Sequence, residues 1–431
     1  MKKSISIIAA VCAVVSLTAC AGRTKGGSVT SAEFKPTLDT NTECSISVVG
    51  SYDNFEALEA EFDRFNEMYP NVRFSYMKLD DYYNILDTVL ESNDSPNIFF
   101  TNAGMFGNEK YTHIFEHTEN LADATVGLNL DCIRPGLINR DEQDRVMMVP
   151  IFSRSYGMLV NNDLFEKEGL SIPTTWTELM EVCDKFRNKG YSSPMMGYSA
   201  DASSCLMYTV AYPMFVATLA DNPEALALAN DLDPAAGEFM RPALETVQNL
   251  IGSGCVDLNE CDKIKDNYTE VILRFFEGDV PMMLCAGDTV SGTRKRESQS
   301  EAFTNSPFTY TFYPIPLTDD GGYFIDSPSV EFAVNKDCDN LEMTNEFMRF
   351  LISNKELNEM ASVKRLVTPT ADLSFDSVYA PFGKISAERT ISPEVVGITD
   401  ALTVQIKFAS YQVGKGEITV DEAVANYGTY E

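Results

Sequence analysis

Polar and aromatic side chains follow the first and third predicted strands, at the point where each strand ends. Tyr52 and Asp53 come directly after the first strand, and Asn102 and Phe106 follow the third. In open α/β sheets, ligands bind outside the carboxyl ends of the strands. Aromatic rings offer flat apolar faces to a small ligand, and Asp and Asn can hydrogen-bond its polar groups. These four residues are candidate ligand contacts, with turn formation or helix capping as the alternative role.

Motifs of catalysis are missing from the sequence, including Gly-x-Ser-x-Gly, His-Glu-x-x-His and the phosphate-binding Gly-Lys-Ser loop. His113 and His117 are spaced to share one helix face, as in metal sites. A zinc pair needs further ligands and burial, and this segment is polar, so a solvated helix is favoured. We expect no catalytic residue, no metal and no cofactor. The basic run Arg294-Lys295-Arg296 is expected to be a solvated loop.

Strands alternate with helices in the first part of the chain. Residues 44–49 alternate in polarity, and the apolar segment 98–100 forms another strand. Between them, apolar side chains recur at three- and four-residue steps and predict one buried helix face: Phe55, Leu58, Phe62, Phe65 and Tyr69. Asp53 and Glu56 are spaced as a cap pair for this helix. The alternation predicts an α/β fold with parallel strands.

Length and charge restrict the possible classes of protein. A chain of 431 residues exceeds the size at which one core stops growing, so two lobes are expected. The net charge of −31 repels phosphate backbones and disfavours nucleic acid as a partner. It also keeps an exposed protein soluble, which is the simpler explanation of the charge.

The first twenty residues predict export and lipidation. Lys2 and Lys3 precede an apolar run from Ile5 to Val15, which is too short to span a bilayer. Leu17-Thr18-Ala19-Cys20 resembles a lipobox, so residues 1–19 are predicted to be a lipoprotein signal peptide and Cys20 the lipidated residue. Residues 20–43 are predicted to be the lipidated Cys and a flexible tether, whose polar part reaches roughly 25 Å. The protein would be anchored to the extracellular face of the cell membrane rather than embedded in it.

Eight cysteines remain after Cys12 and Cys20 are set aside. Export permits disulfides, but the spacing does not define their pairing. Cys44, Cys183, Cys205 and Cys285 lie in apolar runs and are expected to be small buried hydrophobes. The pairing stays open for the whole set, which is Cys44, Cys132, Cys183, Cys205, Cys255, Cys261, Cys285 and Cys338.

The order and spacing of these segments resemble the solute-binding proteins of carbohydrate ABC importers, the maltose-binding-protein-like family. The strongest block is Pro173-Thr174-Thr175-Trp176-Thr177-Glu178-Leu179, in which Thr175 and Glu178 also predict a capping box. Weaker matches follow one another along the chain: Pro96-Asn97-Ile98, Val149-Pro150, Asn162-Asp163-Leu164-Phe165, Phe276-Glu277-Gly278, Pro314-Ile315-Pro316, Phe332-Ala333-Val334, Phe347–Leu351 and Thr419–Ala423.

This resemblance implies a two-lobe, type II periplasmic-binding-protein-like fold with a hinge and a cleft between the lobes. By analogy, lobe 1 comprises 44–149 and 317–356, and lobe 2 comprises 150–316 and 357–431. The chain would cross near Pro150, Pro316 and Glu356. The lobes would close on a ligand by hinge motion, and the permease subunits of an importer would sense the closed state. We expect a monomer.

The resemblance also implies further ligand contacts. Arg154 lies where an acidic residue occurs in maltose binders, and its planar guanidinium can bind a carboxylate through two hydrogen bonds. The ligand could therefore be acidic, such as a uronate-bearing saccharide, or Arg154 could form a hinge salt bridge. Trp176 is expected to be structural, so stacking would fall to Tyr52, Phe106, Tyr156 or Tyr198. Two acidic residues, Asp288 and Asp326, are polar candidates.

The sequence leaves several functions open. A saccharide-binding lipoprotein that delivers its ligand to an ABC permease is the first hypothesis. A binder of the same fold for a polyamine, a peptide or an organic anion is the second. A lipid-tethered glycan hydrolase and a surface adhesin are the remaining alternatives.

Overall fold

The computed structural model describes residues 34–106 and 108–430. The predicted signal peptide and Cys20 lie outside the described residues. The strands are β1 Cys44–Gly50, β2 Val72–Lys78, β3 Ile98–Thr101, β4 Val149–Pro150, β5 Ser153–Arg154, β6 Tyr156–Asn161, β7 Met195–Gly197, β8 Met282–Ala286, β9 Tyr310–Tyr313, β10 Phe324–Ile325, β11 Ser327–Pro328, β12 Glu331–Val334 and β13 Thr390–Ile391.

The helices vary from a single turn to more than four turns. They are α1 Glu56–Asn66, α2 Tyr82–Leu90, α3 Thr112–Glu116, α4 Asn162–Glu168, α5 Trp176–Asn188, α6 Leu206–Ala220, α7 Pro223–Asn230, α8 Arg241–Gly252, α9 Leu258–Cys261, α10 Thr269–Phe275, α11 Gly287–Ser291, α12 Thr293–Glu297, α13 Glu301–Asn305, α14 Leu341–Leu351, α15 Asn354–Lys364, α16 Pro393–Val396, α17 Asp400–Lys415 and α18 Val420–Ala425. Among the described residues, no helix combines the length and apolar character that crossing a bilayer requires.

The first lobe is built on a five-stranded sheet with the order β2-β1-β3-β12-β4. Strand β1 pairs in parallel with β2 and with β3. The apolar face predicted for α1 is buried against this sheet, as the spacing required: Phe55, Leu58, Phe62, Phe65 and Tyr69 are each at most 7% exposed. The packing of α1, α14 and α15 completes the first core.

The second lobe has a four-stranded sheet with the order β7-β8-β6-β9. Helices α5, α6, α8 and α17 contribute buried residues to its core. Helix α5 begins with the predicted capping box, in which the Thr175 side chain and the Glu178 side chain each accept a backbone N–H from the other residue. The sequence placed this helix correctly because its cap and its apolar period agree.

Both sheets are mixed, so the prediction of parallel strands is only partly correct. Strand β12 is antiparallel to β3 and β4, and β6 is antiparallel to β8 and β9. Strands β1, β3 and β8 run toward the edge where the lobes meet. Strands β6 and β12 start at that edge, because each directly follows a segment that crosses between the lobes. They therefore run antiparallel to β8 and β3, respectively.

Three crossing segments lie side by side between the lobes. Strands β5 and β11 pair antiparallel, and Ser153 also forms a bridge with Val367. Core membership changes along each segment: Phe152, Val330 and Leu366 belong to the first core, whereas Ile325 and Val367 belong to the second. The boundaries 44–149 with 317–356 and 150–316 with 357–431 remain a prediction. These core assignments favour a second crossing between residues 325 and 330 and a third between residues 366 and 367.

The described end of the predicted tether packs against the first lobe. Phe34 and Leu38 are partly buried against the first core. The backbone N–H of Thr37 donates to Glu346 Oε1 over 2.7 Å, and its hydroxyl donates to Glu346 Oε2 over 2.6 Å. Residues 34–38 therefore belong to the first lobe. The side chains of Phe34 and Leu38, together with the hydrogen bonds of Thr37, attach this segment to its core.

The eight cysteines from Cys44 to Cys338 carry free thiols in the structure. Cys183, Cys205 and Cys285 are buried, as their apolar context predicted. Cys44 is only half-buried, because it begins the strand β1 at its outer end.

Candidate ligand-binding site

Two adjoining cavities lie between the lobes. One has a volume of about 810 Å³ and the other of about 670 Å³. Tyr83, Arg154 and Ser329 line both of them. Each volume lies within the range of roughly 300–1,000 Å³ that is usual for small-molecule sites. The larger cavity is called here the tyrosine chamber, after Tyr156, Tyr208 and Tyr212, and the smaller one the basic chamber, after Arg294, Lys295, Arg296 and Lys364.

Three tyrosines of the second lobe form one wall of the tyrosine chamber. Tyr156 begins β6, and Tyr208 and Tyr212 lie four residues apart on α6, so they share a helix face. The ring of Tyr156 lies 5.8 Å from that of Tyr208 and 5.3 Å from that of Tyr212, measured between centroids. Burial raises the pKa of all three phenols. The hydroxyl groups therefore stay neutral and can both donate and accept hydrogen bonds.

The first lobe supplies the opposite wall of this chamber. Asn102 follows β3, Phe106 lies just beyond it, and both line the cavity, as the rule for strand ends predicted. Gly104 lies between them and approaches the second lobe: a Cβ at this position would be 3.0 Å from Asp400 Oδ2. A larger residue would hold the two walls apart at this point.

The crossing segments separate the two chambers. Arg154 Nη1 donates to Asp288 Oδ2 over 2.6 Å, and Ser329 Oγ donates to Asp288 Oδ1 over 2.6 Å. The charge of Asp288 raises the pKa of Arg154, which keeps the guanidinium charged. The Nε of Arg154 is buried and has no hydrogen-bond partner in the part of the chain that the structure describes. Arg154 and Asp288, both predicted as ligand contacts, thus contact each other and both face the basic chamber.

Tyr52 and Asp53 also line the basic chamber. The backbone N–H of Tyr52 donates to the hydroxyl of Tyr76, and burial raises the pKa of the Tyr52 phenol well above its ordinary value. Asp53 does not cap α1, because the N-cap residue is Phe55 and makes no side-chain capping bond. The Asp53 carboxylate instead accepts a hydrogen bond from Lys78 Nζ over 2.7 Å, and Lys78 lowers the pKa of Asp53.

Two predicted contacts lie away from both chambers. Tyr198 is 7% exposed and packs in the second core, and its hydroxyl donates a hydrogen bond to Asp201. Asp326 is 5% exposed and forms a two-pronged ion pair with Arg134, over 2.7 Å to Nε and 2.8 Å to Nη2. Both side chains are already satisfied by partners in the protein.

Sequence reasoning missed several residues of the site. Tyr208 and Tyr212 lie in a helix that is apolar on every side, so no one-sided pattern distinguishes its cleft face. Glu394 lines the tyrosine chamber from α16, and burial raises its pKa to about 7. Lys364 reaches the basic chamber from the end of α15. Of these residues, only Tyr208 and Tyr212 have a recognisable sequence pattern, because their i, i+4 spacing places them on one face of a helix.

One carboxylate cluster in the described part of the chain has metal-like spacing. It consists of Glu61, Glu356 and Glu359, whose oxygens lie within 4.8 Å of one another. Arg64 lies among them, with Nε 2.9 Å from Glu356 Oε2 and Nη1 3.2 Å from Glu359 Oε2. Burial raises the pKa of Glu61 to about 9. A guanidinium already supplies the cation here, so the cluster is an ion-pair network between α1 and α15.

A comparison with curated protein sequences gave no match. Comparison with solved structures gave many matches at low sequence identity. RafE in complex with raffinose is 15% identical, has a TM-score of 0.66, and is matched over 90% of this chain and 98% of its own. A sugar transporter of Bacillus licheniformis in complex with stachyose is 17% identical, with a TM-score of 0.62 over 90% of this chain and 99% of its own.

The GacH receptor of Streptomyces glaucescens, solved unliganded and with acarbose, is 15% identical, with a TM-score of 0.66 over 90% of this chain and 97% of its own. These similarities establish the two-lobe, type II periplasmic-binding-protein-like fold. A family model described as bacterial extracellular solute-binding protein matches residues 50–357. The family consists of binding proteins rather than enzymes. The chain belongs to the bacterial extracellular solute-binding protein family.

Proposed function

We propose that the protein binds a saccharide of more than one ring in the cleft between its lobes and delivers it to the permease of an ABC importer. The single observation that supports this most is the tyrosine chamber. Its three neutral tyrosines offer flat faces, and the facing wall offers the amide of Asn102 and the ring of Phe106. This pairing of apolar faces with directed polar groups suits a sugar, which has both kinds of surface.

The size of the cleft supports a ligand of more than one ring. The tyrosine chamber alone, at about 810 Å³, lies in the upper part of the usual range for small-molecule sites. The basic chamber adjoins it and shares three lining residues with it. The similar proteins solved with raffinose, stachyose and acarbose agree with an oligosaccharide as the ligand class.

The location of the protein at the cell membrane is part of the proposal. Export and lipidation at Cys20 would hold the protein on the outer face of the cell membrane, where a permease can receive the closed form. Growth of cells with labelled fatty acid tests the anchor, since a Cys20→Ala chain would not incorporate the label. A chain with Cys20 intact that stays unlabelled and leaves the membrane would overturn the anchor without affecting saccharide binding.

A thermal-shift screen with oligosaccharides of two to five residues tests the function. A ligand present at 100 times its dissociation constant adds about 2.7 kcal/mol to the free energy of unfolding. The expected result is a raised melting temperature for a small group of related saccharides, each recovered intact after incubation. Stabilisation by polyamines, peptides or organic acids alone would show that the solute is not a sugar. Release of shortened saccharides would show a hydrolase.

A further inference from the structure

The basic run Arg294-Lys295-Arg296 lies on a helix and faces the cleft, which corrects the expectation of a solvated loop. It forms most of α12 and lines the basic chamber from the second lobe. Lys364 lines the same chamber from α15, which packs in the first core. The two lobes therefore place cationic side chains on opposite sides of one cavity.

The charge of this chamber is opposite to that of the whole protein. The chain has 33 Lys and Arg against 64 Asp and Glu. The lining of the basic chamber reverses this balance. Its basic members are Arg154, Arg294, Lys295, Arg296 and Lys364, and its acidic members are Asp53, Glu56 and Asp288. A local reversal of this kind concentrates anions in the cavity.

The acidic members neutralise only part of this positive charge. Asp288 is paired with Arg154 at 2.6 Å, and Asp53 is paired with Lys78 at 2.7 Å, on the outside of the chamber. Glu56 lies 3.7 Å from Lys364 and is 62% exposed, so it is a loose partner. Among the described residues, Lys295 has no carboxylate within 4.0 Å, although its charge contributes to the lowered pKa of Asp53.

Lys295 and Lys364 line the same chamber from opposite lobes, and like charges in one cavity repel each other. Burial lowers the pKa of Lys364, Glu56 partly offsets this effect, and the charge of Lys295 adds a smaller lowering. Lys364 Nζ lies 5.0 Å from the ring centroid of Tyr52. This cation–π contact stabilises the ammonium charge but provides no hydrogen-bond acceptor atom for its N–H groups. An anion between the two ammonium groups would remove the repulsion and supply the missing acceptors.

From this geometry we infer that the ligand is an anionic saccharide, whose neutral rings lie in the tyrosine chamber and whose negative substituent lies between Lys295 and Lys364. The inference rests on the proposed function and specifies its substrate class. The substituent can be a uronate carboxylate or a sulfate ester, since both present oxygen acceptors with negative charge to ammonium groups. Arg154 is occupied by Asp288, so the two lysines are assigned this role.

The experiment measures binding by calorimetry with matched panels of oligosaccharides of two to five residues. Each neutral gluco-, galacto- or manno-oligosaccharide is paired with its uronate counterpart, and galacto-oligosaccharides also with a sulfated form. The wild-type protein is compared with Lys295→Gln, and Lys185→Gln is the matched control. Lys185 is an exposed lysine of the same lobe, on α5, and its one ion-pair partner among the described residues is Glu181.

The expected result is tightest binding by a charged member of the panel. Lys295→Gln weakens that binding about tenfold or more, as loss of a hydrogen bond to a charged group predicts, and Lys185→Gln leaves it unchanged. The charged member that binds most tightly tells a carboxylate from a sulfate. Tightest binding by a neutral saccharide, with no effect of Lys295→Gln, would overturn the inference and leave the proposed function standing. Binding of no saccharide at all would overturn both.

Discussion

Replacement of Arg134 is expected to destabilise the protein strongly, because this side chain joins all three crossing segments. Its Nη2 donates to Ser153 Oγ over 2.9 Å in the first segment, and its Nε and Nη2 donate to Asp326 beside the second. Its Nη1 donates to the carbonyl groups of Thr368 and Thr370, over 2.7 and 2.8 Å, in the third. All five hydrogen bonds belong to one guanidinium.

The magnitude follows from burial. The Arg134 side chain is 13% exposed and that of Asp326 is 6% exposed. Arg134→Met leaves the buried Asp326 carboxylate, the Thr368 carbonyl group and the Ser153 hydroxyl without these bonds, whereas the Thr370 carbonyl group keeps the N–H of Leu373. Loss of one partner of a buried ion pair costs about 3–5 kcal/mol. The double variant Arg134→Met, Asp326→Leu removes the stranded charge, so we expect it to cost less than the sum of the two single variants.

Urea unfolding followed by far-UV circular dichroism and by the fluorescence of the single tryptophan, Trp176, measures this effect. Arg140→Met is the matched control, because Arg140 is 43% exposed and, within the described part of the chain, pairs only with Asp144, which is 83% exposed. Such a surface pair contributes about 0–1 kcal/mol. If Arg134→Met costs no more than Arg140→Met, the crossing segments do not depend on this guanidinium and the reasoning is refuted.

Three further outcomes are expected. Asn102→Ala should weaken binding of the ligand found in the screen, and leave the melting temperature of the free protein unchanged, because Asn102 is only partly buried and lines the tyrosine chamber. Burial raises the pKa of Glu331 well above its ordinary value, and neither of its oxygens has a hydrogen-bond partner among the described residues. The folded state thus holds this proton more tightly than the unfolded state, whose carboxyl pKa is about 4.3, and stability is lost as pH rises above that value. Glu331→Gln should therefore gain stability relative to the wild type between pH 5 and pH 8 in urea unfolding, whereas parallel curves would contradict this assignment. Thr175→Ala and Thr419→Ala each remove a capping box and should cost about 1 kcal/mol in the same assay; an unchanged midpoint would show that the cap is replaced by water.

Local patterns in the sequence predicted individual elements well. The apolar spacing of α1 and the capping box of α5 depend on residues within a few positions of one another, so the sequence determines them directly. The same holds for Asn102 and Phe106, because the end of β3 positions them at the sheet edge. Strand direction was predicted less well, since β6 and β12 are reversed by the crossing segments that precede them.

Contacts between distant segments could not be predicted. Arg134 and Asp326 are 192 residues apart, and nothing in the local sequence of either residue indicates the other. Asp326 therefore resembled a free polar residue in a loop and was a reasonable candidate for ligand contact. Lys295 and Lys364 come together only when the two lobes meet at the cleft, so the run around Lys295 had the pattern of a solvated surface segment.

The response to salt distinguishes the charge of the chamber from the charge of the whole protein. A net charge of −31 repels an anionic saccharide, and added salt would relieve that repulsion and strengthen binding. Surface charges farther from the cleft than the Debye length, which is about 8 Å at 0.15 M ionic strength, are largely screened from the ligand. Lys295 and Lys364 line the chamber itself, so their attraction should dominate the affinity. Calorimetry between 50 mM and 500 mM salt should accordingly show weaker binding of a charged oligosaccharide as salt increases, and little change for its neutral counterpart. Stronger binding at high salt would mean that the overall acidic field, and not the two lysines, governs the encounter with the ligand.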